Sequence, residues 1–314
     1  LPDAPAIRRV HPPGPRSVCF DPIASPTALP AVDFNVASEL PALTNAAVES
    51  ARWNPEVGCL IDTIYPGRPL LVTFGFLGGT HLPLFDFFGR SKKLEKRFNL
   101  KLNRILIRDC ASSWYHRGVP GLGTHIDAVA ATLRGMIRAV RPSRVMTIGQ
   151  SMGGYAAILF GMLAGVDRII AFGPLAHLNP ARARCEGDLR FISVMDALAA
   201  DRPRSGYYDL VELGRALDYR APIQVVFGTH PGHDDGLSGN LDSVHAFSLA
   251  RLSNVVLHPY HESQHPVVEW LVKNKQIDDL LARFLIDEHD LIAAGPDSNR
   301  LNAEAMQTLV GVGG

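Results

Sequence analysis

Cysteine is scarce in this chain. Cys19, Cys59, Cys110 and Cys185 are the only four in 314 residues, and no two stand as C-x-x-C. Spacing this wide argues against a disulfide framework and gives no thiol metal or redox motif. It fits a reducing compartment, so a cytoplasmic location is expected. The first residues also lack the basic, apolar, small-residue order of a signal peptide. The chain begins at Leu1, however, which is compatible with an export signal already removed. Charge of one sign is missing too. Thirty-one basic residues face 31 acidic ones, for a net charge of zero. That removes the electrostatic footprint of a nucleic-acid or anionic-membrane partner. No apolar run reaches the length of a membrane span, and there is no internal repeat.

What is present is ordinary in bulk: 46% hydrophobic and 20% charged residues, enough for one large α/β domain or two small ones. Residues 1–52 are expected to form an extended arm, because Pro12-Pro13-Gly14-Pro15 can be neither helix nor central strand. Short apolar runs then read as strands: Gly58–Ile61, Pro69–Gly75, Asn103–Asp109, Val145–Ile148, Arg168–Phe172, Pro222–Gly228 and Asn254–His258. Helical periodicity falls between several of them, as in Thr124–Val140, where Ile126, Val129, Ala130, Leu133 and Ile137 share one face. A single helix is expected from Val267 to Phe284, and another from Asp242 with that residue as N-cap. This alternation argues for a mostly parallel, doubly wound α/β sheet over residues 53–290. The period breaks over about 174–221, where helices without strands suggest a lid insertion. Residues 291–314 read as a polar tail.

Arg144 to Ala157 organises the rest. Val145–Ile148 is a strand, Gly149-Gln150-Ser151-Met152-Gly153 a sharp turn, and Tyr155–Leu163 a helix. This is the context of a nucleophile elbow. Its glycines answer to strained backbone and to a close approach of strand and helix. A serine hydroxyl needs a base to take its proton, and the base needs a carboxylate to orient it. In folds with such an elbow the partners follow in the order Ser, Asp or Glu, then His. His258, His261 and His265 compete for the base, and His265, in the loop after the last strand, is preferred. Asp234, Asp235 and Asp242 compete for the acid. His230-x-x-His233 beside Asp234 and Asp235 offers metal-ligand types, but Pro231 and Gly232 make the stretch a loop, so no metal is expected. Trp114, Tyr115 and His116, in a loop rich in Gly and Pro, are candidates to line a substrate pocket.

Gly149-Gln150-Ser151-Met152-Gly153-Gly154, the Gly75-Phe76 loop and His265 together resemble the α/β-hydrolase superfamily over roughly residues 55–290. Trp114 to Gly118, Tyr207 to Leu210 and Asp242-x-x-His245-Ala246 look like segments of poorly characterised bacterial hydrolase-like proteins, some of which accompany glycan-modifying modules. The last segment sets Asp242 slightly ahead of Asp234 as the acid. The resemblance implies a serine esterase-type hydrolase without cofactor. Ser151 would attack an ester or thioester carbonyl of a small-molecule or glycan-linked acyl substrate, and His265 would serve as base. Backbone N–H groups of Met152 and of Phe76 or Leu77 would hold the oxyanion. The alternatives are acyl transfer to an acceptor other than water and a non-catalytic binding module on the same scaffold.

Overall fold

A computed structural model describes residues 43–63, 65–78, 82–201, 207–231 and 239–287, with the side chains of 239 and 240 left aside. Seven strands form one sheet: β1 (Cys59–Asp62), β2 (Leu70–Phe74), β3 (Asn103–Ile107), β4 (Val145–Gln150), β5 (Arg168–Phe172), β6 (Ile223–Gly228) and β7 (Val255–Tyr260). Their spatial order is β1-β3-β2-β4-β5-β6-β7. Every neighbouring pair is parallel except β1 with β3. The chain therefore runs outward in one direction through β3 and in the other through β5, β6 and β7. The reversal lies between β2 and β4, and the crevice beyond their C-terminal ends is where such sheets place ligands.

The alternation of side chains along each strand divides the core. Leu70, Val72, Phe74, Ile105, Ile107, Ile169, Ala171, Val225 and Phe227 join one buried cluster. Leu71, Met146, Ile148, Ile170, Phe172 and Val226 join the cluster on the opposite face. The first face packs against α3 (Ile126–Val140), α4 (Met152–Ala164) and three insertion helices, α5 (Pro180–Glu186), α6 (Ile192–Asp201) and α7 (Leu210–Ala216). The second packs against α2 (Phe88–Phe98), α9 (Val267–Lys273) and α10 (Ile277–Leu285). Helix α4 is apolar all round because it is enclosed, with every residue from Met152 to Met162 buried. Each such Leu or Ile contributes about 2 kcal/mol of burial.

Several expectations need correction. Part of the expected arm is helical: α1 (Asn45–Ala51) is capped by the Thr44 side chain. Residues 1–42, and the tail over 291–314, lie outside the described residues. Helix α1 is tied to the sheet edge by Arg108, whose five N–H groups donate to the carbonyls of Ala51, Arg52, Asn54, Val57 and Pro83. The expected Val267–Phe284 helix is two helices, parted at Lys275, which takes the left-handed conformation. Helix α8 (Gly239–Leu249) starts before Asp242, so that residue lies in the first turn instead of at the N-cap.

Candidate active site

Ser151 occupies the turn between β4 and α4 with φ +52 and ψ −118, a conformation that a non-glycine residue adopts only under constraint. The constraint is visible on both sides. Its N–H donates to Phe172 O at 2.7 Å, and its carbonyl accepts from Tyr155 N at 3.0 Å. A Cβ on Gly149 would meet Gly153 O at 2.1 Å, and one on Gly153 would meet Phe74 O at 2.2 Å. Only glycine allows backbone to lie this close to backbone. A serine at a helix N-cap normally turns its hydroxyl onto the first-turn amides. Here no such bond forms. The Oγ instead lies 2.9 Å from His265 Nε2.

His265 is held in the loop between β7 and α9 and is 7% exposed, beside Ser151 at 8%. Its Nδ1 lies 2.9 Å from each carboxylate oxygen of Asp242. An ionised carboxylate can only accept, so Nδ1 carries the proton and Nε2 presents a lone pair to the serine hydroxyl. Gly173, at the end of β5 with φ +51, makes room for the pair. A Cβ there would stand 3.2 Å from Asp242 Oδ2 and 3.4 Å from His265 Nδ1.

The other candidates separate from this line. His258 bonds Gln224 Oε1 at 2.6 Å, and exposed His261 bonds Thr229 Oγ1 at 2.9 Å. Asp234, Asp235 and His233 lie outside the described residues. Met152 begins α4, so its N–H has no acceptor within the helix. The contact of Gly153 with the Phe74 and Gly75 carbonyls brings the start of the Phe76–Leu77 loop beside that helix end.

Trp114, Tyr115 and His116, the expected pocket-lining residues, are turned into the protein interior. All three are enclosed. The loop folds inward around the buried Asp109 carboxylate, which accepts from the N–H groups of Ala111, Ser113 and Tyr115. Those bonds hold Ser112, Trp114 and Tyr115 in the left-handed region. Burial pushes the Asp109 carboxyl up from its usual pKa despite these donors. Tyr115 then reaches under the sheet end and donates to Gly75 O at 2.8 Å, bracing the glycine loop from behind. His116 stacks on Tyr208 with ring centroids 4.8 Å apart. Burial lowers its pKa to about 3, so it is neutral at ordinary pH. Trp114 packs edge-on against Phe191 of the insertion, at 4.9 Å between centroids, and Phe191 in turn lies 6.3 Å from the His265 ring.

Sequence reasoning missed the groups behind Asp242. Arg190 donates through Nη1 to Asp242 Oδ1 at 2.7 Å and approaches His265 Nδ1 at 3.4 Å. Its other edge forks onto Asp188, Nε to Oδ1 at 2.9 Å and Nη2 to Oδ2 at 2.6 Å. Asp188 also faces His245 Nε2 at 3.0 Å. Burial opposes the Asp188 charge, but the bonds from His245 and Arg190 outweigh it and hold the carboxyl well below its usual range. One signal pointed this way: Asp242 and His245 stand three apart, on one face of α8.

His177, Glu186 and His245 gather closely enough to suggest a metal site, with ligand atoms within 4.8 Å of one another. The hydrogen bonds argue otherwise. His177 Nδ1 accepts from Asn179 N at 3.2 Å and His245 Nδ1 from Ala176 N at 3.1 Å. Both protons therefore sit on Nε2, where His177 donates to Glu186 and His245 to Asp188. Neither Nε2 has a lone pair left for a metal.

No family model matches the sequence, and no curated protein matches it either. Among solved structures, the chain is similar to an acylaminoacyl peptidase of Pyrococcus horikoshii at 12% identity and TM-score 0.48, covering 76% of this chain and 40% of that one. It is similar to the capsule O-acetyltransferase of Neisseria meningitidis serogroup A at 15% identity and TM-score 0.46, covering 70% and 91%. A third is the esterase Pf2001 of Pyrococcus furiosus, at 13% identity and TM-score 0.43, covering 72% and 86%. The chain thus spans well under half of the peptidase it matches. Its strand order, its candidate site at the sheet reversal and its strained serine between β4 and α4 give the chain a doubly wound α/β fold of mostly parallel strands.

Proposed function

We propose that this protein is a serine hydrolase that cleaves a carboxylic ester or thioester through an acyl-enzyme. The observation that carries the reading is the unbroken relay Asp242–His265–Ser151, with each link at 2.9 Å, ending on a hydroxyl at the sheet reversal. In this reading Ser151 Oγ attacks the carbonyl carbon while His265 Nε2 takes the hydroxyl proton. The imidazolium so formed is stabilised by the Asp242 carboxylate. The oxyanion forms between the Met152 N–H and an N–H of the Phe76–Leu77 loop. Collapse expels the alcohol or thiol, which receives its proton from His265. A water molecule, deprotonated by His265, then releases the acid. Support also comes from Tyr115, which braces the carbonyl that precedes the loop.

Short p-nitrophenyl esters test this. Hydrolysis should be lost in Ser151→Ala, and acid quenching should trap an acyl adduct on Ser151. Folded protein with neither activity nor adduct would overturn the reading. Adding alcohol acceptors to the same assay distinguishes transfer from hydrolysis, since transfer would divert product from acid to new ester.

A further inference from the structure

The triad acid shares its charge with an arginine that the helical insertion supplies. Arg190 lies between α5 and α6, and its side chain is 5% exposed. It contacts Asp242, His265 and Asp188 at once. Among the described residues, the charged or titratable groups that face His265 are Asp242 from α8 and Arg190 from the insertion, with the Ser151 hydroxyl from the elbow. Gly173, just after β5, and Phe191 also lie against the ring and carry no charge. Asp188 stands behind Arg190, and His245, neutral by its hydrogen bonds, stands behind Asp188.

Counting formal charges in this enclosed group gives two carboxylates against one guanidinium, a sum of minus one while His265 is neutral. When His265 takes the serine proton the imidazolium offsets that sum, and the negative charge released by the serine passes to the carbonyl oxygen of the substrate. Without Arg190 the group would be doubly negative, and the imidazolium would be over-stabilised before any substrate arrived. Without Asp188 the arginine would act on the pair uncompensated. Arg190, held by its fork onto Asp188, also orients Asp242: one oxygen accepts from Arg190 Nη1, which leaves the carboxylate facing His265 Nδ1.

We propose that Arg190 is a positioning residue for the triad, orienting Asp242 and, balanced by Asp188, setting the pH at which His265 gives up its proton. This rests on the serine-hydrolase reading for its purpose but not for its measurement. The test is the titration of the His265 ring, followed by NMR of ring-labelled protein with His265→Gln for assignment, alongside the pH profile of kcat/KM on a short p-nitrophenyl ester. Arg190→Gln should raise the His265 midpoint by about one pH unit, and with it the acid limb of the profile. Asp188→Asn should move both downward, by about half a unit. Arg190→Lys, which keeps the charge and loses the fork, should stay within about half a unit of wild type. A purely structural role would lower activity in both Arg190→Gln and Asp188→Asn without opposite movements of the midpoint. An unchanged midpoint in Arg190→Gln, or shifts in the same direction, would overturn the inference. Opposite shifts in a protein that hydrolyses no ester would leave the inference standing and sink the hydrolase reading instead.

Discussion

Arg190 stands between two Asp–His pairs built from the same residue types at nearly the same distances. On one side Asp242 meets His265 Nδ1 at 2.9 Å, and the far nitrogen of that ring meets the Ser151 hydroxyl. On the other Asp188 meets His245 Nε2 at 3.0 Å, and the far nitrogen accepts the Ala176 backbone N–H. Both aspartates are buried to the same degree. The pairs use opposite ring nitrogens, and the difference that matters is what the second imidazole nitrogen faces. A hydroxyl on a strained turn can surrender its proton and attack. A backbone amide cannot, so the second pair ends as an anchor between the insertion and α8. Residue type and burial alone do not decide what a histidine can do.

The largest expected effect breaks this comparison directly. His265→Gln or Asp242→Asn should lower kcat/KM on a short ester by about 10⁴-fold, because the serine loses its base or the base its correct tautomer. His245→Gln should stay within about tenfold of wild type while costing 1–3 kcal/mol of unfolding free energy, roughly the penalty of disturbing one buried polar link. Equal losses of activity at both histidines would erase the distinction.

Two glycines sharpen it next. Gly173 and Gly187 both have positive φ, at +51 and +76. Alanine at either should cost about 1 kcal/mol of backbone strain. At Gly187 nothing lies within 4 Å of the added Cβ. At Gly173 the Cβ presses on the Asp242–His265 pair, and a displacement of a few tenths of an ångström should lower kcat on the order of tenfold. Steady-state kinetics of the two variants, set against their urea midpoints, separates strain from misalignment.

His116 offers a third contrast, a histidine buried without a carboxylate. Its folded pKa of about 3 lies below the ordinary 6.5. The unfolded chain therefore takes up a proton that the folded one refuses. Stability from this group is complete above pH 6.5 and is lost as the pH falls toward 3, amounting to a few kcal/mol, roughly, over that window. Urea midpoints recorded against pH should fall more shallowly in His116→Gln. The smallest expected effect is that of Tyr115→Phe. Removing the bond to Gly75 O should cost about 1 kcal/mol of stability and a several-fold drop in kcat with KM little changed, as befits a brace behind an oxyanion site.

The parts legible in the sequence share one property: their signal is local. Val145 to Ala157 carries strand, turn and helix in a single run, and β4 and α4 appear where that run puts them. The place of His265, in the loop after the last strand, follows from chain order. Asp242 could be ranked but not separated from Asp234, since a loop carboxylate and a first-turn carboxylate look alike without a third dimension. Arg190 was illegible for the opposite reason. It sits 52 residues from Asp242 and 75 from His265, in a stretch of scattered charges with no period. The burial of the Trp114–His116 loop was hidden because its glycines and prolines read as an exposed loop. What turns it inward is Asp109, whose bonds to three amides are a tertiary outcome of where β3 ends. The antiparallel pairing of β1 was equally hidden, since a four-residue strand carries no mark of direction.

The central claim is that Ser151 is nucleophilic because His265, and not His245, completes its relay. Fluorophosphonate labelling with mass analysis of the peptides tests this in one step. A single adduct on Ser151 in wild type, formed at a comparable rate in His245→Gln and about 10³-fold or more slower in His265→Gln, is the result the account predicts. Folded wild-type protein that takes no label, or a label rate indifferent to His265, would contradict it.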